Sequence, residues 1–152
     1  MEKKFDFVSF VLLVALFVVF VFSVTLYFVK SPGRRYVFRF ESVDDGKTAI
    51  ESRFLPAKKG EEKIALYVDE LLLGAKTERS RPIFSPGTKA KLCFLRGKTL
   101  YIDLTSDLLY QDGNAGDIME SIELFKRNIF KNFHSVKKIE LFIDGKNILQ
   151  KI

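Results

Sequence analysis

Residues 7–29 read FVSFVLLVALFVVFVFSVTLYFV, a run without a single charge. About 20 such residues are enough for an α-helix to cross the hydrocarbon core of a bilayer. Nothing else in the 152 residues restricts the fold as much. Ser9, Ser23 and Thr25 interrupt the apolar run. A helical hydroxyl bonds back to a carbonyl one turn earlier, so lipid tolerates it. The pattern predicts a transmembrane helix over 7–29 after a short tail of residues 1–6, which is a cytoplasmic tail if the downstream domain is exported. A cleavable secretory signal has a shorter apolar region and small residues at its cut site. Here Val24 to Val29 is bulky and leads into Lys30, Ser31 and Pro32. A lipoprotein signal would place a cysteine at the end of the apolar stretch, whereas the one cysteine is Cys93.

Flanking charge leaves the orientation open. Lys3 and Lys4 precede the helix beside Glu2 and Asp6, and Lys30, Arg34, Arg35 and Arg39 follow it, so a literal positive-inside count favours a cytoplasmic C-terminal region. A short tail before a long apolar helix is equally the layout of a signal-anchor that exports the downstream domain. The formal net charge of +6 lies almost wholly beyond the helix, which points to anionic surroundings. Residues 30–35 read as a linker that spans at most about 20 Å. It holds the following domain close to an anionic membrane surface near Lys30, Arg34 and Arg35. Residues 36–152 are enough for one domain with a single core. A lone cysteine permits no internal disulfide and says nothing about redox compartment.

Alternation and periodicity give the order of elements. Tyr36, Phe38 and Phe40 alternate with Val37, Arg39 and Glu41; Asp44, Asp45 and Gly46 supply turn chemistry; Ile50, Ser52 and Phe54 then alternate with Glu51, Arg53 and Leu55. Two antiparallel strands are expected. The charged run 58–63 reads as a solvated loop before a helix with Ile64, Tyr67, Val68, Leu71 and Leu72 on one face, stopping at Gly74. Residues 75–88, with Pro82, Pro86 and Gly87, are expected to lack regular structure. A second hairpin comes next, with Ala90, Leu92 and Phe94 on one face of its first strand and Lys91, Cys93 and Leu95 on the other. Its second strand alternates Leu100, Ile102 and Leu104 with Thr99, Tyr101 and Asp103. After a loop over 105–116, a helix over 117–133 carries the stripe Ile118, Ile122, Phe125, Ile129 and Phe133. A last strand covers 138–144 and turns at Asp144 and Gly145. The resulting fold class is α+β, a mostly antiparallel sheet with two helices on one face in the order β-β-α-β-β-α-β, preceded by the transmembrane helix.

Chemistry-bearing residues are sparse. Cys93 lies on the less apolar face of its strand with no histidine near it in sequence, and reads as a packing residue. His134, the one histidine, follows the long helix and reads as a surface cation near its carbonyl end. Asp103 with Asp144 or Glu123 is a pairing that two working carboxylates would need, but strand-end acids more often bond loop amides and set turns. From Asp112, Asn114 stands third and Glu123 twelfth as in a calcium loop, but Asp117 occupies the sixth position, where a glycine is required. Asn114 or Asp117 reads instead as a helix cap. No catalytic, cofactor-binding or metal residues are therefore expected, and no cofactor. Lys126, Arg127, Lys131, Lys137 and Lys138 form a basic set; no nucleic acid is expected as partner of a tethered domain that faces outward, and the nucleic-acid reading holds only if the domain faces inward.

Several segments together resemble the GerMN domain, the sporulation and spore-germination module. They are Glu70-Leu71-Leu72-Leu73-Gly74 at a helix end; Phe84-Ser85-Pro86-Gly87-Thr88 before a hairpin; Tyr101-Ile102-Asp103-Leu104-Thr105; and Val136 to Asp144-Gly145 after a long helix. The resemblance runs over nearly all of 36–148. It departs at Gly74-Ala75, where many members have Gly-Pro, and at Asp103-Leu104-Thr105, where Asp-Leu-Ser is common. It implies a domain outside the bacterial cytoplasmic membrane, single-pass or lipid-anchored, and so tips the orientation outward. It also implies envelope assembly, because the fold resembles ring-building modules of secretion-type complexes. The expected function is a non-catalytic cell-envelope module that binds envelope proteins or copies of itself. The alternative is a peptidoglycan-binding accessory of cell-wall hydrolysis.

Overall fold

A computed structural model describes residues 7–29, 33–110 and 118–147, except the side chains of residues 28 and 29. The chain divides into two compact units, Met1–Pro32 and Gly33–Ile152. In the first, helix α1 spans Phe7–Val29. Its 23 residues rise about 34 Å, against a hydrocarbon core of about 30 Å. The segment Phe7–Tyr27 is long and apolar enough to cross a membrane, and its side chains are exposed. The Thr25 hydroxyl donates to the Val21 carbonyl at 2.8 Å, the back-bond that lets a hydroxyl sit in an apolar helix.

The second unit is α+β. In order it holds β1 (Arg34–Ser42), β2 (Thr48–Leu55), α2 (Glu62–Leu72), β3 (Ser80–Arg81), β4 (Ala90–Arg96), β5 (Thr99–Leu104), a 3-10 turn (Ser106–Leu109), α3 (Ile118–Asn132), β6 (Lys138–Ile143) and β7 (Lys146–Asn147). The expected order is present with two short additions. Strand β3 falls in the segment 75–88 expected to be irregular, where Arg81 pairs with Glu41 and Ser80 with Ser42. Strand β1 begins at Arg34, inside the expected linker.

The strands divide into two sheets, β2-β1-β3 and β4-β5-β6-β7. Every pairing is antiparallel except β5 with β6. Parallel neighbours need a long crossover, and α3 lies within the one that joins them. Helix α3 packs against β1, α2 against β4, and the helices touch each other. One core joins these layers: Tyr36, Phe38 and Phe40 from β1; Ile64, Tyr67, Val68 and Leu71 from α2; Leu100, Ile102 and Leu104 from β5; Ile122, Phe125 and Ile129 from α3; Ile139 and Leu141 from β6.

Two strands bury a face other than the one their composition suggests. In β2 the core side carries Arg53 and Leu55, while Ile50 and Phe54 are exposed. In β4 the pairing register shifts between Ala90 and Leu92. Such a bulge inserts one residue into a period-two pattern, so everything after it changes face. Cys93 and Leu95 consequently pack against the core with Ala90, whereas Leu92 is exposed. By composition Cys93 falls on the less apolar face of β4, and the bulge turns it to the core as a packing residue.

Polar side chains fasten the first sheet. Strand β3 covers β1 only at Glu41 and Ser42. At Arg39 and Val37 the same strand bonds to asparagines of α3. Asn128 accepts from the Arg39 N–H at 2.8 Å and donates to its carbonyl at 2.8 Å; Asn132 accepts from the Val37 N–H at 3.0 Å and donates to its carbonyl at 2.7 Å. Four helical residues rise about 6 Å and two strand residues about 6.6 Å, so carboxamides at i and i+4 match alternate residues of a strand. The Tyr67 hydroxyl joins them, donating to the Val37 carbonyl at 3.0 Å and accepting from Asn132 at 2.9 Å. Arg53, only 4% exposed, lies over the Phe38 ring at 4.6 Å. It donates to the carbonyls of Glu70 at 3.1 Å and Gly74 at 2.6 Å, occupying orphan acceptors at the end of α2.

Candidate interaction surface

The residues that most resemble catalytic groups are engaged in structure. Asp103 accepts the Gly145 N–H at 3.0 Å, and the Asp144 N–H donates to the Leu104 carbonyl at 3.0 Å. These bonds hold the turn between β6 and β7, where Asp144 and Gly145 both have positive φ, the conformation a two-residue hairpin turn requires. Asp144 also pairs with Lys91, whose ammonium holds the Asp144 carboxyl below its ordinary value. Glu123 lies on α3, paired with Lys126 at 3.2 Å. It is not gathered with the strand-end acids by any contact among the described residues. His134 is exposed just past α3. Burial pushes the Cys93 thiol up to about 12, with Asp69 and Glu61 adding to the shift. A thiol held protonated at neutral pH is a poor nucleophile. Of the calcium-like series, Asp112, Asn114 and Asp117 fall outside the described residues. Among the described residues no group of three or more His, Cys, Asp or Glu is set to hold a metal.

The basic set is partly neutralised, since Lys126 pairs with Glu123 at 3.2 Å and Lys138 with Glu140 at 2.6 Å. Lys138 holds the Glu140 carboxyl below its ordinary value.

A different surface is built for contact. In β5 and β6 the residues between the buried Leu100, Ile102 and Leu104, and between Ile139, Leu141 and Ile143, face away from the core. On that outer side of the second sheet, Phe94 stands opposite Tyr101, with rings stacked at 5.1 Å and 9°. Leu92, 52% exposed, stands opposite Asp103, which is the partner of Phe142 on the next strand. Leu92, Phe94, Tyr101 and Phe142, together with Asp103 and Gly145, line a shallow, almost wholly apolar cavity of about 230 Å³. Polar pairs flank it: Lys91 with Asp144, and Glu140 with Lys138 and Asn147. Alternation and motif spacing do not single out these residues as a site. Their signal is nonetheless present, as Tyr101 and Phe142 are aromatic at positions where a half-buried strand normally turns polar residues outward.

A second cavity of about 150 Å³ lies between the β1–β2 turn, β3 and the first half of α3. It is lined by charges of both signs, with Arg81 and Glu41 paired at 3.5 Å. Small-molecule sites typically measure about 300–1,000 Å³, so both cavities suit a side chain better than a whole ligand.

The chain has counterparts among known proteins. The family model described as Germane, sporulation and spore germination, matches residues 25–149. An uncharacterized lipoprotein of Treponema pallidum (strain Nichols) is 32% identical over 79 residues; the match covers 52% of this chain and 59% of that protein, less than two thirds of the relative. The first GerMN domain of the sporulation protein GerM from Bacillus subtilis superposes with a TM-score of 0.54 at 17% identity, covering 74% of this chain and 85% of that one. The tandem GerMN domains of the same protein give 0.55 at 16% identity, covering 76% and 41%. These two likenesses concern the fold, which agrees with the α+β unit described above. Because the family model spans most of the 152 residues, this chain belongs to the Germane (GerMN) family, not a known catalytic one.

Proposed function

We propose that this protein is a non-catalytic module of the bacterial cell envelope, held by α1 as a single-pass anchor with the second unit outside the cytoplasmic membrane, where it binds an envelope protein or another copy of itself. One observation carries the reading: the outer face of the second sheet presents Leu92, Phe94, Tyr101 and Phe142 around a cavity the size of a side chain. A protein-binding patch has this composition, with aromatic and aliphatic residues at its centre and charged pairs at its rim. The anchor is supported by a helix whose apolar side chains face outward along its length. A soluble protein rarely exposes so much apolar surface. The matched relative is described as a lipoprotein, which is a membrane-attached protein.

The test is photocrosslinking in intact cells from a benzophenone side chain placed at Tyr101. Adducts with envelope proteins or with the chain itself are expected, and Leu92→Asp abolishes them while the protein stays folded. Absence of any protein adduct, together with salt-resistant retention of the protein on purified peptidoglycan, would transfer the function to glycan binding. Protease added to spheroplasts checks the topology, since it reaches the second unit only if that unit lies outside.

A further inference from the structure

We propose that the end of the β1–β2 hairpin next to Gly33 docks on anionic lipid head groups of the bilayer that holds α1, through Arg34, Arg35 and Phe54. This rests on the anchor reading above and adds a defined contact face to it. At Gly33 a Cβ atom would lie 1.7 Å from the Leu55 carbonyl oxygen and 3.0 Å from the Pro56 Cα. Only glycine fits so close to another backbone, so the chain enters the domain at a point fixed against the end of β2, one residue from Phe54. Between Val29 and Gly33 the chain reaches at most about 14 Å. Whatever surface surrounds Gly33 therefore lies within reach of the head groups.

That surface has the composition a bilayer interface selects. Phe54 is 61% exposed and is the cross-strand partner of Arg35. The Arg35 guanidinium donates to the Ser52 hydroxyl at 3.0 Å, and that of Arg34 lies 5.9 Å from the Tyr36 ring centre. Among the described residues neither arginine forms an ion pair, so both keep their charge for another partner. Lys58 and Lys59 follow β2 and are exposed, Lys58 being paired with Glu62 at 3.5 Å. Guanidinium groups bind lipid phosphates bidentately, while an aromatic side chain enters the boundary between head groups and acyl chains. The net charge of +6 adds long-range attraction to the same surface.

The chain contains no tryptophan, so Phe54→Trp supplies a single reporter at an exposed site. The full chain is placed in nanodiscs of brominated phosphatidylcholine, with or without brominated phosphatidylglycerol. Emission is expected to be quenched in the anionic discs and to recover at high salt. Arg34→Gln with Arg35→Gln lowers the docking constant about thirtyfold, the effect of two basic residues at an anionic surface. Ile50→Trp, about 13 Å further along the strand, is quenched less. Equal quenching in neutral and anionic discs overturns the docking, and so does equal quenching at the two sites. A blue shift produced by soluble polyphosphate in neutral discs overturns the lipid assignment in favour of a soluble polyanion. Carbonate washing separates the two readings: a chain that leaves the bilayer overturns the anchor and the docking together, and a chain retained without quenching overturns the docking alone.

Discussion

The two sheets of the second unit are stabilised by different means. The first is fastened by directional bonds: Asn128 and Asn132 to the backbone of β1, Tyr67 between them, and Arg53 to the end of α2. The second presents the aliphatic residues Leu100, Ile102, Leu104, Ile139 and Leu141 to the core, with Cys93 packed beside them. Apolar contact is non-directional and tolerates repacking, whereas a hydrogen bond to a particular backbone group allows one arrangement. The polar fastenings lie where backbone groups would otherwise be orphaned, at a strand edge and a helix end. On the second sheet the chain's own atoms complete the inner face and leave apolar side chains outward. One region is closed by its own polar groups, and the other is left for a partner.

Arg53→Ala should break the first region most severely. It removes bonds to Gly74, Glu70 and Glu51 and the contact with Phe38, and a loss of about 3–4 kcal/mol in urea unfolding of the detergent-solubilised chain is expected. Arg53→Lys restores the charge without the planar fork and recovers less than half. The alanine variant also alters the acid limb. The hydrogen bond from Arg53 holds the Glu51 carboxyl below the ordinary value of 4.5. Its contribution is thus complete above that value and is lost as pH falls through the lower folded value. In Arg53→Ala that part of the acid dependence disappears.

Asn128→Ala comes next, at about 2–3 kcal/mol, because it removes a fully buried carboxamide and strips the partners from both half-buried backbone groups of Arg39. A cost below about 1 kcal/mol would mean that water replaces the carboxamide, and the contrast between the sheets would fail.

The contrast also marks what the sequence discloses. The stripes Ile64-Tyr67-Val68-Leu71 and Ile122-Phe125-Ile129 are periodic enough to place both helices and most of the core. The membrane-length helix is legible from the absence of charge alone. Periodicity is blind to three other features. The β4 bulge moves Cys93 and Leu92 to opposite faces from those their alternation assigns. Arg53 looks like a solvent residue because its role depends on Gly74, 21 positions away. Asn128 and Asn132 sit in an amphipathic helix as ordinary polar residues, and only the approach of β1 makes them a substitute strand. The division into two sheets depends on pairings that alternation does not encode.

Tyr67→Phe is expected to cost about 1 kcal/mol, since it keeps the ring packing and deletes the hydroxyl shared by Val37 and Asn132. Burial pushes the Tyr67 hydroxyl well above its ordinary value of 10.0. The stability associated with the neutral hydroxyl is complete below that value and is lost as pH rises, because the unfolded chain ionises there while the folded chain resists. A shallower alkaline limb in Tyr67→Phe, measured by unfolding on the alkaline side of 10.0, is the expected signature.

Leu92→Asp should have the smallest effect on stability and the largest on binding. Leu92 is 52% exposed and contributes to no core contact that Asp would break, so a loss below about 1 kcal/mol is expected, most of it from the acid placed opposite Asp103. A carboxylate at the mouth of an apolar cavity would have to be desolvated by any apolar partner, which costs far more than the leucine contact is worth. Asp103 stands directly across the strand pair, so the substitution also places two acids side by side. Phe94→Ala, which removes the ring stacked on Tyr101, gives an uncharged comparison. If the outer face is the contact, both variants lose crosslinks from Tyr101, and Leu92→Asp loses them more completely. If capture survives in Leu92→Asp, the partner lies elsewhere, and the apolar outer face of the second sheet is not its docking surface.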